Sequence, residues 1–318
     1  MGNSWYRASP IPQALIWRRL HSLLGIGLVL FLIEHLLTNS QAALFVGDYG
    51  AGFINAVNAI KNFPYLPVIE WTFIGIPLIV HTVWGISRLL TSSTNIWPSD
   101  GSKPSLPQYG ANQGFTWQRI TSWLLIFGIA GHVIQMRYLD YPSSAHLEGK
   151  DFYFIRITPD EGLERLSSRL NFIYFNRTES EHIRNTIALS LSTHHDVPKY
   201  SVMSQQLHEM QAWLHAFESV KTKENDLIAV VPSFGLAELL LVRNTFKSPI
   251  MILLYTFLVL GACFHAFNGL WTSMITWGIT LTHQSQRLMR WVSTFLMLLI
   301  AFLGLASVWG TYWINLAY

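Results

Sequence analysis

A single cysteine, Cys263, is all the thiol that the 318 residues contain. Four-thiolate iron–sulfur ligation and any intrachain disulfide are therefore excluded. Charge is scarce as well. Asp, Glu, Lys and Arg make up 12% of the chain, about half their usual share in a soluble globular protein. No G-x-G-x-x-G run follows a strand pattern, so nothing points to a dinucleotide or flavin fold. The net charge of +3 is too small to suggest nucleic acid as a partner.

What the chain has instead is apolar length. Five runs almost free of charge reach the ~20 residues needed to cross ~30 Å of hydrocarbon. They are Leu20–Thr38, Trp71–Leu90, Phe115–Met136, Ser248–Trp277 and Trp291–Leu316. Trp117, Trp271, Trp277, Trp291, Tyr312 and Trp313 stand near their ends, as aromatic interface belts require. No small-residue cleavage site follows the first run, which predicts a retained helix and not a removed signal peptide. The pattern predicts an all-α protein of the bacterial cytoplasmic (inner) membrane, with five spanning helices and lipid around them.

Arg7, Arg18 and Arg19 precede the first span. Arg88, Lys103 and Arg119 bracket the second link, and Arg287 and Arg290 fall in the fourth. The bias of cations toward the cytoplasm then puts the N-terminus inside, and the C-terminus and third link outside. Three parts result: residues 1–138 with helices one to three, an extracytoplasmic insert at 139–247, and residues 248–318 with helices four and five. The insert is charge-dense. Phe152–Thr158 alternates like a strand and Gln205–Phe217 has helical spacing, so a small module of mixed α/β type is expected.

Histidines carry the chemistry. His35, His81, His132 and His265 occur one on each of the first four spans. A lone intramembrane histidine is as readily an interhelical hydrogen bonder as a ligand, although ionisable groups at that depth are usually functional. Four with matching depths are another matter. His35 lies sixteen residues past Arg19, about 24 Å along the helix, and His132 thirteen past Arg119, which sets both in the outer part. His81 lies seven residues before Arg88 and His265 eighteen past Lys247, which sets both in the inner part.

Two bis-histidine sites stacked ~10–15 Å apart would suit transmembrane electron transfer. With no carboxylate or thiolate beside them, a planar four-nitrogen equator has to come from elsewhere. Haem supplies it, and axial histidines are usual for electron-transfer b haems. Gly128 and Gly261 stand four residues before His132 and His265, and Gly85 four after His81. They would leave room for a macrocycle, or equally for close helix packing. His21, fourteen residues before His35, sits at the rim, where it would meet a haem propionate.

These residues carry a family resemblance. Arg18-Arg19-Leu20-His21 through Gly25, with Glu34-His35, resembles the first helix of the di-haem cytochrome b subunit of bacterial succinate dehydrogenase or fumarate reductase. Pro77 through His81 to Gly85 resembles the second. Gln118-Arg119 through Gly131-His132 resembles the third. The fourth is matched by His265-Ala266-Phe267-Asn268-Gly269-Leu270-Trp271, continuing to Gln286-Arg287. The likeness covers about 14–137 and 248–313 and omits the insert.

It implies the single-anchor, five-helix type, with two haem b whose irons are held by His35 with His132 and by His81 with His265. Such a chain has no dehydrogenase site of its own. It anchors a flavoprotein subunit and an iron–sulfur subunit on the cytoplasmic face, here around Arg18, Arg19, His21 and the Thr282–Arg290 link. It passes electrons through the haems to a quinone, menaquinone or ubiquinone. Glu70, at the outer end of the second span, matches an acidic position of the family. With Glu34, deeper in the first span beside His35, it is a candidate for proton exchange with quinone. Glu70 would equally be an ordinary acid at a helix N-terminus.

Other classes explain less. The quinol:cytochrome c oxidoreductase cytochrome b puts two ligands on each of two helices, whereas this chain spreads four over four. A hydrogenase or formate-dehydrogenase cytochrome b is closer in size but is not favoured by the Asn268–Trp271 segment. A transporter or receptor with a periplasmic domain would account for the insert and leave the paired depths unexplained.

Overall fold

A computed structural model describes residues 12–103, 105–192 and 202–316; Arg7, used above as a topology cue, lies outside them. Among the described residues, five helices are long and apolar enough to cross a membrane: Gln13–Ser40, Leu66–Thr91, Gly110–Leu139, Pro249–Thr276 and His283–Leu316. Inside hydrocarbon every N–H and C=O needs a partner within the segment, so apolar runs of this length become helices. Large side chains such as Leu30, Phe73, Phe127, Leu254 and Phe302 face outward from them, where lipid in place of water makes their exposure favourable.

All but the fourth of these helices extend beyond the apolar runs that predict them. The first, α1, is Gln13–Ser40. The second joins α3 (Leu66–Glu70), a π-helical turn at Trp71–Gly75, and α4 (Ile76–Thr91). Glu70 is therefore inside a helix that starts four residues earlier, and not at its first turn. The third is α5 (Gly110–Ile134) with a π-helical turn at Gln135–Leu139. The fourth, α10 (Pro249–Thr276), opens on a proline, whose missing N–H costs nothing at that position. The fifth, α11 (His283–Gly310), ends in a π-helical turn at Thr311–Leu316.

Arg287 and Arg290, expected in the fourth link, lie in the first two turns of α11. Hydropathy marks where a helix enters lipid, whereas hydrogen bonding decides where it starts. A long cation can extend from a helix end to water.

The third link folds as an α+β domain. Its sheet runs β1 (Ser143–Leu147), β2 (Lys150–Ile157), β4 (Leu227–Val231), β3 (Ile173–Phe175) in spatial order, and every neighbouring pair is antiparallel. Glu148 and Gly149 join β1 to β2 with both φ positive, the two-residue turn that matches strand twist. Helices α6 (Leu163–Leu170), α7 (Arg177–Ser192), α8 (Val202–Ser219) and α9 (Phe234–Thr245) complete it. The strand expected at Phe152–Thr158 is β2, and the helix expected at Gln205–Phe217 is α8.

The sheet covers a small core of Phe154, Phe217, Ile228 and Val230, with Trp213 packed against it. Burying each of these side chains contributes about 2 kcal/mol. Ser233 caps α9, its hydroxyl accepting from the Leu236 N–H.

A helix in the first link, α2 (Ala51–Lys61), was not anticipated. It packs on α9, where the Asn58 side chain accepts from the Gly235 N–H at 2.7 Å. A Cβ at Gly235 would sit 2.4 Å from the Ile54 carbonyl oxygen, so glycine is required there by the close approach. Asn315 ties down the loop before α2. Its amide donates to the Ala42 carbonyl at 2.9 Å and to Asp48 at 3.2 Å. Its carbonyl accepts from the N–H groups of Gly47 and Tyr49.

A buried ion cluster joins the domain to the start of α10. Arg243 donates to Asp160 from both terminal nitrogens, at 2.8 and 3.0 Å, and Lys247 pairs with the same carboxylate at 2.6 Å. Lys247 also donates to the Thr158 carbonyl. Burial by itself would raise the Asp160 carboxyl; the hydrogen bonds from Arg243 and Lys247 outweigh it and hold it down at about 2. Glu238 on α9 goes the other way. Burial pushes it up to about 7, against the opposing pull of Arg137 and Lys61.

The described chain divides into two compact units. One comprises the residues up to Glu34, Pro67–Ile126 and Leu260–Ala301. The other comprises His35–Leu66, Phe127–Val259 and the residues from Phe302 on, and so contains the α+β domain.

Candidate functional site

The first unit holds three of the singled-out histidines. His81 on α4 and His265 on α10 face one another with ring centres 6.3 Å apart and planes at 73°. His21 on α1 stacks flat on His81 at 3.8 Å and 14°, and its carbonyl oxygen lies 3.2 Å from His81 Nδ1. That contact assigns the hydrogen to Nδ1, since a carbonyl only accepts, and leaves Nε2 with its lone pair. Trp84 lies against the other rim residue, 4.5 Å from the His21 ring.

His265 is set by a polar seam between α5 and α10. Gln118 donates to the His265 carbonyl at 3.0 Å and accepts from the Asn268 amide at 2.7 Å. Trp271 donates to the Asn268 oxygen at 3.0 Å. The Ser122 hydroxyl stands 3.5 Å from His265 Nδ1. In hydrocarbon such polar contacts at a helix seam fix rotation about the helix axis, because neither water nor lipid offers an alternative partner.

The second unit holds the other pair. His35 on α1 and His132 on α5 have ring centres 5.9 Å apart and planes at 75°. His132 Nδ1 is 3.1 Å from the hydroxyl of Tyr255 on α10. Asn39 donates to the His35 carbonyl at 2.7 Å.

The spacing of both pairs suits one metal ion between each. An imidazole nitrogen binds a first-row metal at about 2 Å, and the ring centre lies about 1 Å behind it, so two axial rings have centres about 6 Å apart. The observed 6.3 and 5.9 Å match. At 3.8 Å, His21 is too close to His81 to share a metal with it. Among the described residues no three His, Cys, Asp or Glu side chains come together as a metal site. A metal at either pair would need its other donors from outside the protein, as a macrocycle provides. The His21 Nδ1 is buried with no hydrogen-bond partner, so the cradle has a spare polar atom where an acidic group would be met.

The glycines divide. A Cβ at Gly25 would lie 3.1 Å from His81 Cε1, so this glycine clears the imidazole directly. Gly85 faces the His21 ring at 3.6 Å. Gly128 and Gly261 are filled by neighbours: a Cβ would meet Leu258 at 2.8 Å and Leu124 at 2.4 Å. Those two stand in close helix packing against leucines. Glu34 is exposed on α1 and Glu70 partly exposed; the depth of Glu34 in the sequence does not make it interior. Tyr255 was missed. Its position on α10 carries no periodic or motif signal, and only the approach of α5 reveals its partner.

No family model matches the chain, and no solved structure matches it. Among curated proteins it is similar to the succinate dehydrogenase cytochrome b558 subunit of Bacillus subtilis (strain 168). The two are 25% identical over 296 residues, covering 92% of this chain and 95% of that protein. The resemblance read from the helices is borne out by this similarity.

Proposed function

We propose that the chain is the di-haem cytochrome b anchor of a succinate:quinone oxidoreductase, with succinate oxidised in partner subunits. The observation that carries this is the pair of facing imidazoles in each unit, at the separation two axial ligands need. The similarity to a succinate dehydrogenase cytochrome b subunit supplies the reaction. Haem b, when bound, contributes one-electron iron chemistry at the potential its ligands set.

The chain's own residues do the rest. His81 and His265 hold the inner centre, His35 and His132 the outer. The His21 carbonyl and Tyr255 orient His81 and His132, and Gly25 clears the ring of His81. His21 Nδ1 would receive a propionate. The rim with Arg18, Arg19 and the first turns of α11 is the proposed docking face for the flavoprotein and iron–sulfur subunits, with the N-terminus cytoplasmic. The domain at 139–247 is then extracytoplasmic. Glu70 and Glu34 are proposed to exchange protons with membrane quinone.

The test is a reduced-minus-oxidised spectrum with pyridine haemochrome quantification on the purified full chain. Two b haems are expected in the wild type and one in His132→Ala. A well-folded wild type without haem overturns the proposal. Glu34→Gln and Glu70→Gln are expected to slow quinone turnover with both haems retained, and unchanged turnover in both removes these residues from the mechanism.

A further inference from the structure

The function of the α+β domain is not given by the resemblance, yet a string of hydrogen bonds runs from it to His132. Arg156 on β2 donates to Asp140 at 2.8 Å. Gln135 Nε2 lies 3.4 Å from the other Asp140 oxygen. Tyr255 donates to Gln135 Oε1 at 3.1 Å, and the Tyr255 oxygen is 3.1 Å from His132 Nδ1. His132 in α5 and Gln135, which opens the π-helical turn after it, are three residues apart along the third spanning helix, and a single hydroxyl on α10 reaches both. The π-helical turn that begins at Gln135 closes on Asp140, whose N–H donates to the Gln135 carbonyl at 2.9 Å.

The string has one polarity. Arginine can only donate, so the Asp140 carboxylate accepts from it. A carboxylate can only accept, so Gln135 turns its NH2 toward Asp140 and its carbonyl toward Tyr255. Tyr255 has one O–H, which goes to that carbonyl. Its oxygen must then accept from His132, and Nδ1 must carry the hydrogen. Nε2 is left with the lone pair, the tautomer a metal requires.

We infer that Tyr255 and Gln135 are positioning residues that lock His132 in its metal-binding tautomer, and that the Asp140–Arg156 pair of the α+β domain fixes their orientation. The domain thereby tunes a centre to which it contributes no ligand. An acceptor behind the Nδ1–H makes an imidazole a stronger electron donor, so the string favours the oxidised state of the metal held by His35 and His132. This rests on the proposed function above, because it presumes a haem at that pair.

The experiment is an optical redox titration of the full chain in membranes, comparing wild type, Tyr255→Phe and Asp140→Asn. In Tyr255→Phe the oxidation equilibrium at the His35–His132 centre is expected to shift toward the reduced state by about tenfold, which for one electron is ~59 mV. Asp140→Asn, which leaves His132 and Tyr255 in place, is expected to shift it the same way by less. The His81–His265 centre should not move in either variant. A purely structural role would lower haem content without shifting a midpoint at full occupancy. Should Tyr255→Phe shed that haem, Asp140→Asn decides: a shifted midpoint supports the string. Two haems with both midpoints at wild-type values in Asp140→Asn overturn it. A wild type that binds no haem sinks the proposed function instead.

Discussion

The two imidazole pairs have almost the same spacing, 6.3 and 5.9 Å, but they are supported by different means. Around His81 and His265 the support is local and stays within the spanning helices, with the Gln118, Asn268 and Ser122 side chains setting His265. A carbonyl from α1 meets His81, a stacked His21 backs it, and Gly25 leaves it space. Around His35 and His132 the support is a side-chain string that leaves the helices and ends on a strand of the α+β domain. Every support of the first pair lies on a spanning helix, so that pair depends on how those helices pack and not on the α+β domain. A side-chain string can be altered one residue at a time, so the second pair depends on a folded domain.

Five changes test this contrast. On the proposed function, the largest effect is expected from His265→Ala, which should remove one of two b haems and leave the His35–His132 haem intact. Loss of both would mean the pairs are not independently held. Gly25→Val should crowd His81, against which even a Cβ would stand at 3.1 Å. Its haem is expected to dissociate about tenfold faster, with the other retained at the wild-type rate; equal loss at both pairs would contradict the local support of His81.

Arg243→Met strikes only the second unit. It leaves the Asp160 carboxylate without its bidentate partner in a largely buried setting, where breaking such a pair costs about 3 kcal/mol. Denaturant unfolding followed by the fluorescence of Trp213 in the domain core should report it, without a change in haem at His81–His265.

The same ion cluster predicts acid sensitivity. The Asp160 carboxyl titrates near 2 in the folded domain and near 4 when unfolded. Its stabilisation is therefore complete above about pH 4 and lost as pH falls toward 2. Asp160→Asn should flatten that part of the stability curve. The smallest effect is expected at Glu238. Its folded value is raised to about 7, so it destabilises the domain increasingly as pH climbs from about 4.5 through 7. Glu238→Gln should remove that slope and gain on the order of 1 kcal/mol at pH 8. An unchanged slope would show that folding does not raise the Glu238 carboxyl.

Much of the spanning architecture was legible because lipid leaves a chain few options. Five apolar runs of the right length had to be helices, and pairing histidines by depth brought together the partners that the structure brings together within each unit. Helix ends were less legible. Arg287 and Arg290 look like link residues by hydropathy, but backbone hydrogen bonding carries α11 past them into polar surroundings. The glycines show the same limit. Gly25, Gly128 and Gly261 are alike in sequence, and only the neighbour across the seam separates one that clears an imidazole from two that admit leucines.

In the domain, β2 and α8 were readable from local periodicity. The spatial order of the strands was not, because it depends on pairing between residues far apart in the chain, as Phe154 with Val230 and Ile173 with Val230. Tyr255 is the clearest case. A tyrosine in an apolar helix is unremarkable until α5 places His132 and Gln135 on either side of its hydroxyl.

Asn315 has a consequence for how the protein is made. The loop it holds, Ala42 to Tyr49, leaves the ribosome when most of the chain is still untranslated, and its binding partner emerges more than 260 residues later. Until Asn315 emerges, the loop's polar backbone must be satisfied by water or by membrane insertion factors. Only docking of the Thr311–Leu316 turn, through Asn315, then closes the loop. A nascent chain stalled before that point carries the loop without the side chain that holds it.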